Sequence, residues 1–264
     1  MNTSITDNIR FLAIIPARYA STRFPGKPLA MLGGKSIIHR VYERVSKSFS
    51  FVYVATDDER IANEVKGFGG KVVMTSPHHK SGTDRCFEAY RKVADSERLS
   101  FDVVVNVQGD EPFIADEQLQ TVKACFGDSA TQIATLVKPF PNGCPFAELQ
   151  NPNSPKVVLS NDNYALYFSR SVIPYLRSYP QEEWSSHHTF YKHIGLYAYR
   201  VDVLAEITQL PLGELEAAES LEQLRWLQSG FSIRVGKTML ETIGIDTPED
   251  LCRAEQFLAA AAQV

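Results

Sequence analysis

Residues 11–28 read FLAIIPARYASTRFPGKP, an apolar run that changes abruptly into a basic loop containing glycine and proline. The first seven of these residues, 11–17, have the composition of a buried strand. A loop that directly follows such a strand lies at the carboxyl edge of a parallel sheet, where open α/β folds bind ligands. This stretch therefore predicts an α/β fold and the edge of the sheet that carries a site.

The alternation of apolar runs and amphipathic stretches continues beyond this loop. Further strands are predicted at 51–56, 71–74 and 101–107, with helices at 36–48, 59–68 and 84–94. Each helical stretch has apolar residues spaced three and four positions apart. The order β-α-β-α-β-α-β is typical of a mostly parallel sheet.

The composition changes after residue 137, where five prolines fall between 138 and 156 and are expected to break regular structure. We therefore predict an inserted subregion over about 138–190 within a single domain covering residues 1–264. Later strand-like runs lie at 157–160, 164–169, 191–199 and 232–235, with a helix around residues 221–227. A last helix is predicted over 247–262, with Thr247 as its N-cap.

Composition excludes several classes of protein. The chain has 264 residues, 44% hydrophobic and 22% charged, which excludes disorder, collagen and a small disulfide scaffold. A net charge of −4 argues against a surface built to bind nucleic acid. The sequence shows no export signal, no membrane span and no CxxC pair, so a cytoplasmic protein with reduced thiols is expected.

The loop after the first strand has the chemistry of an anion site. Residues 16–42 contain five Arg or Lys residues and no Asp or Glu, although the whole chain is acidic. Gly26 and the hydroxyls of Ser21 and Thr22 add close backbone approach and hydrogen-bond donors for a triphosphate. A solvated basic loop is the alternative. The spacing fits neither a Walker A loop nor a G-x-G-x-x-G fingerprint, so a P-loop NTPase and a nicotinamide dehydrogenase are not indicated.

Two carboxylates are candidates for a hard cation. The stretch DVVVNVQGDEP, residues 102–112, places Asp110 directly after a buried-type strand, and Mg²⁺ takes one or two protein carboxylates together with phosphate oxygens and water. Asp246 stands just before the last helix and is a second candidate. From the residues alone, an ordinary turn residue is the favoured interpretation of each aspartate, and a metal ligand is the alternative.

Six blocks of the sequence closely resemble those of the 3-deoxy-manno-octulosonate cytidylyltransferases, or CMP-Kdo synthetases, in order and spacing. They are PARYASTRFPGKP (16–28), SGTDR (81–85), NVQGDEP (106–112), YKHIGLYAYR (191–200), LEQLR (221–225) and GIDTPEDL (244–251). The first and third blocks are shared more loosely with other sugar nucleotidyltransferases, whereas the fourth and fifth point to the Kdo branch. The resemblance implies a Rossmann-like, three-layer α/β nucleotidyltransferase fold of the glycosyltransferase-A type, with a mostly parallel sheet and an inserted dimerisation subregion.

The resemblance also implies roles for individual residues. Arg18 and Lys27 would bind the CTP triphosphate, and Asp110 and Asp246 would hold Mg²⁺; these four are the expected catalytic residues. The expected substrate-binding residues are Ser21, Arg23, Arg85, Gln108, Arg170, His193, Tyr197, Glu222 and Gln223. The last four would contact the sugar acid, with Arg170 as a further partner for it. The histidines at 78, 79, 187 and 188 are interpreted as surface or loop residues.

The implied reaction joins CTP to 3-deoxy-D-manno-octulosonate (Kdo), giving CMP-Kdo and pyrophosphate for lipopolysaccharide biosynthesis. A cytoplasmic homodimer without nucleic-acid or membrane partners is expected. Two alternatives stay open at this point. One is a cytidylyltransferase for another sugar acid, such as a sialic acid or an amino-substituted Kdo, and the other is a catalytically silent sugar-nucleotide-binding subunit.

Overall fold

The computed structural model describes residues 8–21, 23–241 and 243–261, so that Thr22 and the predicted helix end at Ala262 lie outside the described residues. The strands are β1 (Phe11–Ala17), β2 (Met31–Leu32), β3 (Lys35–Ser36), β4 (Val52–Thr56), β5 (Val72–Met74), β6 (Val103–Asn106), β7 (Ile133–Pro139), β8 (Lys156–Leu159), β9 (Ala165–Ser169), β10 (Tyr191–Arg200) and β11 (Ile233–Lys237). The helices are α1 (Ile37–Ser48), α2 (Glu59–Gly67), α3 (Gly82–Glu97), α4 (Asp116–Ala124), α5 (Phe146–Gln150), α6 (Trp184–His187), α7 (Val201–Ile207), α8 (Glu214–Glu219), α9 (Gln223–Gln228) and α10 (Pro248–Ala261).

Internal contacts divide the described residues into two compact units. The first unit comprises residues 8–120 and 243–261, and the second unit comprises residues 121–241. The single domain with an insert at 138–190 stays a prediction.

The first unit contains a parallel sheet in the order β6-β1-β4-β5. The side chains of β1 from Leu12 to Ile15 are fully buried, as expected for a strand covered on both faces. The register pairs Ile14 with Asn106 and Ala17 with Thr56, so the carboxyl ends of β6, β1 and β4 lie at one edge. The predicted α/β fold with a parallel sheet is confirmed.

The helices of the first unit begin where side chains cap them. The Ser36 hydroxyl accepts a hydrogen bond from the His39 amide and begins α1, which buries its predicted apolar face. The Ser81 hydroxyl accepts one from the Asp84 amide, so α3 begins at Gly82, two residues before the predicted start. In the same way Thr247 and Asp250 cap each other's amides at α10, confirming the predicted N-cap.

The second unit is built around β7, which pairs antiparallel with β10 and parallel with β11. The β8–β9 hairpin joins this sheet through β10. The expectation that prolines break all regular structure over 138–156 is wrong. Pro139 is the last residue of β7, and Pro145 directly precedes α5, a position at which a proline costs no helical hydrogen bond.

Two further properties concern membrane-spanning helices and cysteines. Among the described helices, none has both the length and the apolarity that crossing a membrane requires. All four cysteines are free, and Cys86 and Cys144 are buried.

Candidate active site

A cavity of about 280 Å³ lies in the first unit at the carboxyl edge of its sheet. Its lining includes all eight predicted site residues of that unit: Arg18, Ser21, Arg23, Lys27, Arg85, Gln108, Asp110 and Asp246. They come from loops after β1 and β6, from α3 and from the segment before α10. Parallel strands place these loops at one edge, which is why residues far apart in sequence meet here.

Lys27 and the two predicted metal ligands converge on one point of this cavity. The Lys27 Nζ atom lies 2.6 Å from Asp110 Oδ2 and 3.1 Å from Asp246 Oδ1. Arg23 Nη2 approaches the other oxygen of Asp246, Oδ2, at 3.1 Å. The structure therefore brings together carboxylates 136 positions apart in the chain, 110 and 246.

The backbone around the two aspartates is held by further hydrogen bonds. The Ile245 amide donates to the Asp110 carbonyl at 2.9 Å, which ties the two loops together. Asp250 accepts from the amides of Asp246 and Thr247, at 3.0 and 2.9 Å. Burial, and then the charge of Asp110, raises the pKa of Glu111 to about 8. Glu111 is therefore mainly neutral near pH 7.

Close approach between two loops makes glycine necessary at position 109. A Cβ added at Gly109 would lie 2.8 Å from the Pro16 carbonyl oxygen, inside the normal contact distance. The loop that carries Asp110 thus lies directly against the end of β1. Without a side chain at 109, the two loops can meet in this way.

A residue of α2 holds the basic loop after β1 in place by stacking on it, a contact that the sequence did not predict. Gly26 has a φ of 72°, a conformation that favours glycine, and an added Cβ would meet the Tyr19 ring at 3.0 Å. The Arg60 guanidinium lies 3.3 Å from the centroid of that ring and is held by Asp58, the N-cap of α2. This stack fixes the loop that presents Arg18 and Lys27.

Arg85 is buried and its guanidinium is fixed in place. Nη1 donates to Thr75 Oγ1 at 2.6 Å, and Nη2 lies 3.3 Å from Asp57 Oδ2. Asp57 directly follows β4, so a third strand end contributes to this edge of the sheet. A buried arginine paired in this way presents a fixed positive charge to the cavity.

His78 and His79 both lie in the loop between β5 and α3, as expected, but His78 is exposed whereas His79 is partly buried. His79 lines the cavity, and its Nε2 atom contacts the Glu88 carboxylate. Burial alone would raise the pKa of Glu88, but hydrogen bonds from Lys92, the Ser76 amide and His79 lower it to about 2. Because an ionised carboxylate only accepts, the Nε2 atom of His79 carries the proton in this contact.

In the second unit, His193 and Tyr197 flank an irregularity in β10. The register against β7 shifts between Ile194 and Tyr197, and the Thr135 hydroxyl fills this bulge, 2.9 Å from the Leu196 carbonyl. Thr135 Oγ1 also lies 3.0 Å from His193 Nε2. A neutral imidazole offers one donor and one acceptor, and the tautomer decides which of these faces the Thr135 hydroxyl. Burial lowers the pKa of His193 to about 4, so the ring is neutral near pH 7.

Tyr197 lies between His193 and α9. The His193 and Tyr197 ring centroids are 5.3 Å apart, and Trp226 of α9 meets Tyr197 edge to face at 5.2 Å. Burial, followed by the Glu222 carboxylate, raises the pKa of Tyr197 well above its usual value. The structure therefore brings His193, Tyr197 and Glu222 together. Gln223, which follows Glu222 in the chain, is buried. Its Nε2 atom has no hydrogen-bond partner among the described residues.

Arg170 differs from these residues in its surroundings. Its guanidinium donates to the carbonyls of Pro152, Glu219 and Ser220, at 2.7, 2.7 and 3.3 Å. It lines a separate open cavity that also includes Trp184. The contacts show a role in holding the loops of the second unit, and the assignment of Arg170 to a sugar acid stays a prediction.

The parallel sheet and the basic cavity that contains two convergent carboxylates are those of a nucleotidyltransferase. The chain matches the cytidylyltransferase family over residues 12–243. The solved structure of CMP:2-keto-3-deoxy-manno-octonic acid synthetase complexed with CTP aligns with a TM-score of 0.86 and 41% identity, covering 96% of this chain and 99% of that one.

Curated relatives narrow the class further. The 3-deoxy-manno-octulosonate cytidylyltransferase of Phocaeicola vulgatus is 66% identical over 95% of this chain and 98% of its own length. The 8-amino-3,8-dideoxy-manno-octulosonate cytidylyltransferase of a Shewanella species is 46% identical over 93% of this chain and 97% of its own. The chain belongs to the 3-deoxy-manno-octulosonate cytidylyltransferase family.

Proposed function

We propose that the protein transfers CMP from CTP to the anomeric hydroxyl of Kdo, giving CMP-Kdo and pyrophosphate. The observation that carries this proposal is the convergence of Lys27, Asp110 and Asp246 in a basic cavity at the carboxyl edge of a parallel sheet. The identity of 66% to a named Kdo enzyme, against 46% to the amino-sugar enzyme, supports Kdo as the acceptor.

Positive charge is the main contribution of the first unit to this reaction. CTP and the carboxylate of Kdo repel each other, and Arg18, Lys27 and the fixed guanidinium of Arg85 offset that repulsion. Pyrophosphate gains charge as it leaves, and the same donors are preorganised to stabilise it. Because the anomeric hydroxyl is a weak nucleophile, alignment with the α-phosphorus supplies much of the remaining acceleration.

The donor set fits Mg²⁺, which we propose as the cofactor. Asp110 and Asp246 already hold one cationic atom, Lys27 Nζ, between oxygens on separate loops. No group of three or more His, Cys, Asp or Glu side chains suited to a metal occurs in the described part of the chain, so the protein contributes two carboxylates. A bound Mg²⁺ neutralises phosphate charge, with phosphate oxygens and water completing its shell.

For the sugar acid we propose the cluster of His193, Tyr197, Glu222 and Gln223 in the second unit. The neutral His193 ring offers one donor and one acceptor, and the buried Nε2 of Gln223 has no hydrogen-bond partner within the described part of the chain. A site that hydrogen-bonds sugar hydroxyls discriminates strongly against analogues that lack them. This composition suits a polyhydroxylated substrate.

We also propose a homodimer whose contact lies in the subregion 138–190. Leu166 and Tyr175 of that subregion are 59% and 72% exposed, and contact with a second copy of the chain would remove their apolar surface from water. The molar mass in solution, measured by light scattering, tests it. A cytoplasmic location and a role in lipopolysaccharide biosynthesis stay predictions.

Pyrophosphate release tests the reaction directly. CTP is offered with and without Kdo, each with and without Mg²⁺, and UTP, ATP, sialic acid and 8-amino-Kdo serve as alternates. We expect release only when CTP, Kdo and Mg²⁺ are present together. Turnover with another sugar acid alone would overturn the choice of Kdo, and no turnover by folded protein would favour a binding subunit.

His79 gives a second test of the nucleotide cavity. We expect His79→Ala to raise KM for CTP about fivefold while kcat changes less than twofold, because a hydrogen bond that contributes about 1 kcal/mol to CTP binding is lost from the cavity. His78→Ala is the matched control, since His78 is exposed next to it. Steady-state kinetics at saturating Kdo measure both constants, and identical KM values in the two variants would contradict a role for His79.

A further inference from the structure

One ammonium group occupies the point where the two carboxylates of the cavity converge. Lys27 Nζ lies within 3.1 Å of both Asp110 and Asp246, and only 13% of the Lys27 side chain is exposed. The carboxylates remain 31% and 48% exposed, so they are open to a ligand from solution. Lys27 thus uses the oxygens that a divalent cation would need.

The charges around this point balance without any added cation. Two carboxylates face two cationic side chains, because Arg23 also approaches Asp246 at 3.1 Å. A divalent cation entering here would meet the positive charge of Lys27 at short range, where Coulomb repulsion is large. The cation therefore binds well only if the ammonium group leaves the carboxylates.

A triphosphate offers the ammonium group another set of partners. Lys27 shares the cavity with Arg18, Ser21 and Gly82, the first residue of α3. Phosphate oxygens form short, charge-assisted hydrogen bonds with an ammonium group. When the nucleotide binds, its phosphates would draw Lys27 away and leave Asp110 and Asp246 free for the metal.

We propose that Lys27 is an internal counterion that exchanges with the divalent cation, so that metal and triphosphate bind cooperatively. This inference rests on the proposed function in taking CTP as the nucleotide and Asp110 and Asp246 as ligands of the divalent cation. Coupling between two ligands is reciprocal, so CTP strengthens metal binding by the factor by which metal strengthens CTP binding. Removal of the ammonium group should tighten metal binding without nucleotide and weaken the coupling.

The test uses Mn²⁺ alone, with free Mn²⁺ measured by electron paramagnetic resonance on the full chain. We expect Lys27→Met to bind Mn²⁺ at least 10-fold more tightly than the unmodified protein. Lys35→Met removes a lysine that pairs with Glu43 at the surface of the same unit and should leave the affinity unchanged. Equal or weaker binding by Lys27→Met would overturn the proposal.

Two further variants distinguish direct competition between Lys27 and Mn²⁺ for the two aspartates from a general effect of net charge on Mn²⁺ affinity. Arg23→Met removes the same charge from a 65% exposed side chain beside Asp246, and its gain should stay below threefold. Lys27→Met with Asp110→Asn should lose the gain of the single variant. A gain in Arg23→Met equal to that in Lys27→Met, or a gain that persists without Asp110, would contradict direct exchange.

The coupling is measured as the ratio of CTP affinities with and without saturating Mn²⁺, with the Mn²⁺–CTP equilibrium in solution included. We expect this ratio to fall at least fivefold in Lys27→Met, and an unchanged ratio would refute the exchange. Neither titration requires turnover. If the unmodified protein releases no pyrophosphate but Lys27→Met binds Mn²⁺ more tightly, the proposed reaction is rejected and the exchange is retained. If the unmodified protein turns over normally but Lys27→Met binds Mn²⁺ with unchanged affinity, the reaction is retained and the exchange is rejected.

Discussion

Asp110→Asn is expected to lower kcat/KM on the order of 1,000-fold, about 4 kcal/mol of transition-state stabilisation. The substitution keeps the size of the side chain but removes a negatively charged oxygen that lies 2.6 Å from Lys27 Nζ. That oxygen is the proposed metal ligand and also positions Lys27. Pyrophosphate release at varied Mg²⁺ measures the loss, which should be only partly recovered at high Mg²⁺.

Asp95→Asn is the matched control for this variant. Asp95 is exposed on α3 in the same unit, so this change alters net charge equally without touching the cavity. Both variants should melt within a few degrees of the unmodified protein, because the ion pair of Asp110 is partly exposed and of modest value. If Asp110→Asn retains a third of the activity at limiting Mg²⁺, Asp110 is not a metal ligand.

The site of the first unit could be predicted because it depends on one general rule of parallel sheets. Strand β1 has the predicted bounds, since its apolar run ends abruptly at Arg18. Once β1 and the strand before Asp110 are recognised as parallel neighbours, their loops must meet at the carboxyl edge. The position of Asp246 followed from the N-cap at Thr247, which fixes where α10 begins.

What could not be predicted depends on contacts distant in sequence. Strand β7 was not identified, because its run ends at a proline and it pairs with residues distant in sequence, 191–199 and 233–237. The bulge in β10 depends on the hydroxyl of Thr135. Thr135 is about 60 positions earlier in the chain, so the residues around Tyr197 do not predict the bulge. The sequence identified His79 only as a residue of a polar loop. Ser81 caps α3, and that helix carries Glu88, so the short distance along the chain between His79 and Glu88 could have suggested their contact.

Gly109→Ala tests how closely the two principal loops must approach. The added methyl group would lie 2.8 Å from the Pro16 carbonyl oxygen, and this backbone atom cannot rotate away as a side chain would. The loop that carries Asp110 must therefore shift relative to the loop that carries Lys27. Displacements of about 1 Å at reacting groups cost on the order of 100-fold in rate, and we expect a loss of that size in kcat/KM.

Stability should fall as well, because overpacking costs about 1–3 kcal/mol. For a chain of this size that corresponds to a decrease in Tm of roughly 2–10 °C, measured by calorimetry. Kinetics are therefore compared well below the lower Tm, where both proteins are folded.

Gly67→Ala is the matched control, since an added Cβ at that position meets no atom of the described residues within 4 Å. Gly67 ends α2, and alanine there favours the helix, so Tm should stay equal or rise while activity is unchanged. A Gly109→Ala protein with unaltered kcat/KM and a lowered Tm would show that the contact at Pro16 supports folding alone. If Gly109→Ala lowers both kcat/KM and Tm, the contact at Pro16 also sets the geometry of the site. The added methyl group would then have moved Asp110 away from Lys27.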